Sequence, residues 1–138
     1  MQANEPTGGE SKKKKRILVI EDDAVFRYLL RMQLSLGGYE LEEAEDGAKG
    51  RIAILDRPPD LILSDLNMPL LNGFELLSML HSDQNTASIP VILLSGQSDS
   101  EAADRALKLG AADFLTKPLT REKLLESVRA CLERTAPK

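Results

Sequence analysis

The sequence alternates short, wholly apolar runs with longer segments in which apolar residues return at helical spacing. Ile17, Leu18, Val19 and Ile20 form an unbroken aliphatic run that ends in Glu21, Asp22 and Asp23. Leu61, Ile62 and Leu63 end in Ser64 and Asp65, and residues 91–94, introduced by Pro90, end in Ser95. Runs with no polar interior predict strands covered on both faces. Between them, Val25, Phe26, Leu29, Leu30, Met32 and Leu36 predict an amphipathic helix over Ala24–Leu36, with Gly37 and Gly38 available for a left-handed stop. Residues 39–44 alternate like a strand, and a second helix fits residues 47–55 before Arg57, Pro58 and Pro59 end it. Phe74, Leu77 and Leu80 predict a third helix after a turn near Asn72 and Gly73, and residues 101–109 a fourth that closes at Gly110. Phe114 and Leu115 fall on a last short strand, and Thr120 caps a fifth helix bearing Leu124, Leu125, Val128, Cys131 and Leu132.

Strand followed by helix, five times over, predicts an α/β fold. Right-handed crossovers make it a three-layer, doubly wound (βα)5 sandwich around a parallel five-stranded sheet. The expected strand order is 2-1-3-4-5, with a site at the carboxyl ends of the strands where the order reverses. Residues 1–15 contain Pro6, Gly8 and Gly9 and lack apolar periodicity, so they read as a flexible basic tail. The folded unit is expected over residues 16–134, with residues 135–138 as a short C-terminal tail.

Charge sharpens the picture. The formal net charge is −4, but residues 1–16 carry five basic and two acidic side chains, so residues 17–138 stand at −7. An acidic body repels polyanions, which argues against direct nucleic acid binding and favours a cation or a basic partner. With three Phe, two Tyr and no Trp, the core must be aliphatic. Cys131 is the only cysteine, which excludes an intrachain disulfide and suits a reducing compartment. It is expected to be a small core or interface residue with no basic neighbour. No apolar run approaches the roughly 20 residues of a membrane helix, so a cytoplasmic location without membrane insertion is expected.

Parallel strands share one carboxyl edge, and the residues expected there are Glu21, Asp22, Asp65, Ser95 and Lys117. Three converging carboxylates disfavour one another's ionisation, and one lysine cannot neutralise them all. A hard divalent cation can, and all-oxygen ligation selects Mg²⁺, with Mn²⁺ as a substitute. Asp65, Asp22, a backbone carbonyl near Asn67 and waters would fill its shell, with Glu21 binding through one of those waters. Asp23 reads as a solvated residue facing the first helix.

These stretches together resemble the receiver domain of bacterial response regulators, the CheY-like members of the flavodoxin-like folds. The matching segments are RILVIEDD at 16–23, AEDG at 44–47, LSDLNMP at 63–69, NG at 72–73, VILLSG at 91–96 and GAADFLTKP at 110–118. The resemblance implies that Glu21 and Asp22 position Mg²⁺, that Asp65 is the phosphoacceptor and that the Asn67 carbonyl is a third protein ligand. It implies that Ser95 turns toward the phosphoryl group, that Lys117 pairs with its oxygens, and that Phe114 is the aromatic switch that packs inward. Asn67 and Gln97 match positions that tune dephosphorylation, and a cis peptide is implied at Lys117-Pro118. Three departures are visible. Glu21 stands where Asp is commoner, Phe114 lacks the hydroxyl of Tyr, and Leu119 replaces a common Phe.

The implied function is phosphorelay signalling, with a histidine kinase or histidine phosphotransfer domain as donor. Self-catalysed transfer and slow autodephosphorylation are expected, rather than turnover as an enzyme. The output surface would be the fourth helix, fifth strand and fifth helix, used for homodimerisation or target docking. Two alternatives share the pattern: a fragment of a longer multidomain regulator, and a receiver-like binding module that works without phosphorylation. A haloacid-type phosphatase is disfavoured because Asn67 stands where such an enzyme needs a second aspartate.

Overall fold

A computed structural model describes residues 14–96 and 100–135. Five strands alternate with five helices: β1 Arg16–Ile20, α1 Ala24–Leu36, β2 Glu40–Ala44, α2 Gly47–Asp56, β3 Leu61–Asp65, α3 Gly73–His81, β4 Val91–Ser95, α4 Ser100–Lys108, β5 Asp113–Thr116 and α5 Arg121–Thr135. All strand pairs are parallel, in the order β2-β1-β3-β4-β5. The three aliphatic runs are the three central strands, and period-two alternation divides their side chains between two cores. Leu18, Ile20, Ile62, Val91 and Leu93 face α2, α3 and α4 through Ile54, Leu76, Leu77, Leu80 and Ala106. Ile17, Val19, Leu61, Leu63, Ile92 and Leu94 face α1 and α5 through Leu30, Leu34, Leu124, Val128 and Cys131. Burial on both faces explains why these strands carry no polar interior.

The outer strand β2 is half-exposed and acidic. Its Glu42 pairs with Arg16 at 2.7 Å, and Glu43 pairs with Arg27 and Arg31 at 3.3 and 3.1 Å. Charges of this kind protect an edge strand against pairing with another chain.

Helix boundaries have local causes. The Asp23 side chain caps α1 by accepting the Val25 and Phe26 N–H groups at 3.0 and 3.2 Å, and Asp46 caps α2 from Lys49. Gly38 supplies the left-handed residue after α1 with φ 86°, whereas Gly37 stays right-handed at φ −80°. The pair Asn72 and Gly73, expected as a turn, instead begins α3. The Asn72 side chain accepts the Glu75 N–H while Glu75 accepts the Asn72 N–H, a reciprocal box that starts a helix. Thr120 accepts the Lys123 N–H at the start of α5, and Lys117-Pro118 is cis.

Two further expectations differ from the structure. The apolar residues of α1 do not form one buried face: Leu30 and Leu34 are buried and Phe26 half-buried, while Val25, Leu29, Met32 and Leu36 point outward together with Tyr28. The helix therefore carries two apolar stripes, and periodicity cannot tell which one meets the sheet. Cys131 does lie in the core, but it has a basic neighbour, because Arg134 one helical turn on reaches its Sγ at 3.1 Å. Burial still raises the thiol above its ordinary value, with Arg134 opposing that shift. Gln97 and most of the basic tail lie outside the described residues. Among the described residues, no helix is long and apolar enough to cross a membrane.

The start of α2 packs tightly against the loop after β3. A Cβ on Gly47 would lie 2.3 Å from the Leu71 carbonyl oxygen and 2.7 Å from its Cβ. Gly47→Ala is therefore expected to lower stability by about 1 to 3 kcal/mol in chemical denaturation. An unchanged midpoint would show that this contact yields freely.

Candidate functional site

The strand registers carry the acidic residues to one edge. Ile20 pairs with Ser64, so Glu21, one residue on, comes level with Asp65 at the end of β3. Leu94 pairs with Asp65 and Ser95 with Thr116, which places Ser95 one step and Lys117 two steps further along the same edge. Backbone hydrogen bonds extend the ladder past the strands: Glu21 N–H donates to Ala44 at 3.1 Å, Leu66 N–H to Leu94 at 2.8 Å, and Lys117 N–H to Ser95 at 2.7 Å. The sheet itself thus positions the site residues.

Glu21, Asp22 and Asp65 each present a carboxylate oxygen within 4.8 Å of the others. Glu21 is fully buried and Asp65 nearly so, whereas Asp22 is exposed. The Lys117 Nζ bridges the two buried acids, 2.9 Å from Glu21 Oε1 and 3.4 Å from Asp65 Oδ1. The other Glu21 oxygen accepts the Asp23 N–H at 3.0 Å. Both oxygens of Glu21 are engaged by protein.

Burial lifts the Glu21 carboxyl above its ordinary value, against the Asp23 N–H and Lys117. Burial likewise lifts Asp65, with Lys117 pulling down and Asp22 pushing up. For Lys117, burial works against the ammonium, but Glu21 and Asp65 together raise it above its ordinary value. For the two acids the chief cause is loss of water around the charged form, and for Lys117 it is the pair of carboxylates beside it. An all-oxygen donor set with uncompensated charge suits a hard divalent cation such as Mg²⁺.

The remaining predicted residues divide. Ser95 is buried at the end of β4, next to the ladder bond to Lys117. Asn67 is exposed in the loop after β3, between buried Leu66 and Met68. Phe114 is half-buried against the α2, α3 and α4 core. Asp23, expected as a solvated residue, is exposed but acts as the α1 cap.

Two site neighbours went unrecognised in the sequence. Arg27 donates to the Glu21 backbone carbonyl at 2.6 Å and pairs with Glu43, tying the acidic loop to the outer strand. The Phe26 ring lies under Lys117, with Nζ 4.4 Å from its centroid. Both stand on the first turns of α1, directly after the acidic pair, which is the one signal that could have marked them. Leu70 was also missed: an exposed leucine with φ 75°, a conformation that costs a non-glycine residue about 1 to 2 kcal/mol, in the loop after Asp65.

A family model described as the response regulator receiver domain matches residues 17–129. The chain is 37% identical over 123 residues to the phosphate regulon transcriptional regulatory protein PhoB of Pseudomonas aeruginosa, covering 89% of this chain and 54% of PhoB. It is 39% identical over 120 residues to the DNA-binding dual master transcriptional regulator RpaA of Synechocystis, covering 87% of this chain and 50% of RpaA. The chain thus spans about half the length of these relatives. Among solved structures, it resembles the receiver domain of a signal transduction histidine kinase from Syntrophus aciditrophicus (TM-score 0.82, 33% identity, 90% of this chain and 94% of that one). It also resembles the chemotaxis response regulator CheY4 of Vibrio cholerae (TM-score 0.81, 27% identity, 86% of this chain and 99% of that one).

A carboxyl whose value is raised by folding destabilises the folded state once pH exceeds both its folded and unfolded values, and that penalty vanishes below both. In Mg²⁺-free buffer at neutral pH, Asp65→Asn is expected to raise stability by on the order of 1 kcal/mol. The gain should shrink as pH falls through the raised value of Asp65. Denaturation of both proteins across pH checks this, and a variant less stable than wild type at neutral pH contradicts it.

Proposed function

The chain belongs to the response regulator receiver domain family, and from that membership we propose that Asp65 accepts a phosphoryl group from a phosphohistidine donor. The observation that supports this most is the Lys117 bridge between two buried carboxylates at the carboxyl edge of the sheet. An ammonium held there is ready to pair with phosphoryl oxygens beside the accepting carboxylate. Glu21, Asp22, Asp65 and the Asn67 backbone carbonyl would hold Mg²⁺, with Mn²⁺ as substitute. Bound there, the cation would neutralise the converging acids and the oxygens of the transferred group.

In the proposed transfer, one Asp65 carboxylate oxygen attacks the phosphorus in line as the nitrogen–phosphorus bond breaks. The donor imidazole leaves with the electron pair and takes up a proton. Lys117 and the Ser95 hydroxyl would receive the phosphoryl oxygens. Reversal by water would be slow, because neither Asn67 nor Gln97 is a strong general base. The chain therefore acts as a switch that catalyses its own modification and does not turn over as an enzyme.

The phosphoryl group brings roughly −1.5 to −2 charge but consumes the single charge of the Asp65 carboxylate, so the site gains about −1 and the negative charge moves outward onto the phosphoryl oxygens. That charge would draw Ser95 and the following loop inward, with Phe114 packing after it, and so repack the face of α4, β5 and α5. This face would serve a homodimer or a target. The donor would be a histidine kinase or histidine phosphotransfer domain in the cytoplasm. The half-length match to PhoB and RpaA also fits a receiver unit that works on an output domain in the same regulator.

Asp65→Asn is expected to abolish acid-labile phosphate incorporation from phosphohistidine or acetyl phosphate, and persistent stoichiometric labelling would remove Asp65 as the acceptor. Neutralising the metal pair by Glu21→Gln with Asp22→Asn is expected to weaken Mg²⁺ binding at least tenfold in calorimetric titration. An unchanged isotherm would place the cation elsewhere.

A further inference from the structure

Lys117 stands on a loop, at the end of a four-carbon stem with considerable rotamer freedom. Its backbone is fixed by the Ser95 carbonyl, and its ammonium has two ionic partners, Glu21 and Asp65. Both partners are acids whose roles change during the reaction proposed above. Asp65 loses its free carboxylate when it is phosphorylated, and Glu21 is also claimed by the cation. If these were its only restraints, Lys117 would lose or exchange them during transfer.

A third contact does not depend on either acid. The Phe26 ring approaches the ammonium at 4.4 Å, well within the roughly 6 Å over which a ring face attracts a cation. The ring is itself held in place. The Phe26 N–H donates to the Asp23 side chain at 3.2 Å in the α1 cap, and the side chain packs against the α1 and α5 core. The next residue, Arg27, grips the Glu21 carbonyl. One helical turn thus supports both the lysine and the acid with which it pairs.

We propose that Phe26 is a positioning residue for phosphoryl transfer, whose ring face keeps the Lys117 ammonium at the phosphoryl site through a cation–π contact. The proposal rests on the reading of Asp65 as phosphoacceptor, but the contact itself is present without phosphate or metal. Its signature is electronic. A leucine would fill much of the same volume and offer no π-face, and a tyrosine would keep the face. Fluorine on the ring drains charge from the face while leaving packing nearly unchanged.

The test uses the full chain with Phe26→Leu, Phe26→Tyr, and mono-, di- and trifluorophenylalanine at position 26. Phosphorylation by acetyl phosphate at saturating Mg²⁺ gives the rate, and proton NMR of the Mg²⁺-free protein gives the shift of the Lys117 methylene next to Nζ. The rate should fall stepwise with each fluorine and drop about threefold to tenfold in Phe26→Leu, while Phe26→Tyr stays near wild type. The Lys117 methylene should resonate upfield in wild type and Phe26→Tyr and return to its ordinary position in Phe26→Leu. Rates that are flat across the fluorinated series, or a Lys117 shift indifferent to residue 26, would overturn the proposal. Should Phe26→Leu fail to fold, the fluorinated series decides, since it preserves the core. A wild type that takes up no phosphate would refute the acceptor reading, and the NMR shift would still decide whether the ring holds the lysine.

Discussion

An excess of buried negative charge at one end of a parallel sheet is the constraint on which the rest of this structure depends. Two carboxylates are almost wholly removed from water, a third lies beside them, and one ammonium serves the cluster. Isolated burial of this kind costs several kcal/mol per ion, so the fold must hold its compensating groups firmly. It does so through the sheet, whose registers bring Glu21 level with Asp65 and place Ser95 and Lys117 just beyond them on the same edge, and through α1, whose cap and first turns brace the acidic loop. The aliphatic layers on both faces provide the rigidity. The charge excess that weakens the protein alone is what suits the cluster to a divalent cation.

How far the sequence discloses this arrangement depends on the range of the interaction. Strands β1, β3 and β4 were legible because burial on both faces leaves an unbroken aliphatic run, and the acid or hydroxyl that ends each run marks the edge of the site. The cap at Thr120 is equally local, whereas the Asn72 and Gly73 pair is ambiguous between a turn and a helix start until Glu75 is seen to reciprocate. Helix α1 was legible as a helix and not in its orientation. Its residues outside the core, Val25, Tyr28, Leu29, Met32 and Leu36, form a stripe as apolar as the one that is buried. Which of two such stripes meets the sheet is decided by tertiary packing.

The partners of Lys117 illustrate the other limit. Its contacts with Glu21 and Phe26 join positions more than ninety residues apart, and no spacing rule connects them. The pair Arg134 and Cys131 is a near neighbour on one helix, but a cysteine in an apolar pattern does not announce a guanidinium one turn on. Convergence of the site residues could be inferred from topology, whereas the braces that hold them had to be seen. A switch built this way links its chemistry to its surface by short paths: Ser95 and Lys117 share a backbone hydrogen bond, and β5, which carries Phe114, leads directly into the lysine loop.

Where the phosphoryl group resides decides whether Asp65 is the acceptor. The most direct measurement is to phosphorylate the protein with acetyl phosphate and Mg²⁺, reduce the acyl phosphate with borohydride, and map the product by peptide mass spectrometry. Conversion of Asp65 alone to homoserine is the predicted result. Conversion at Glu21, Asp22 or Asp23 instead, or phosphate recovered only on His81, would contradict it.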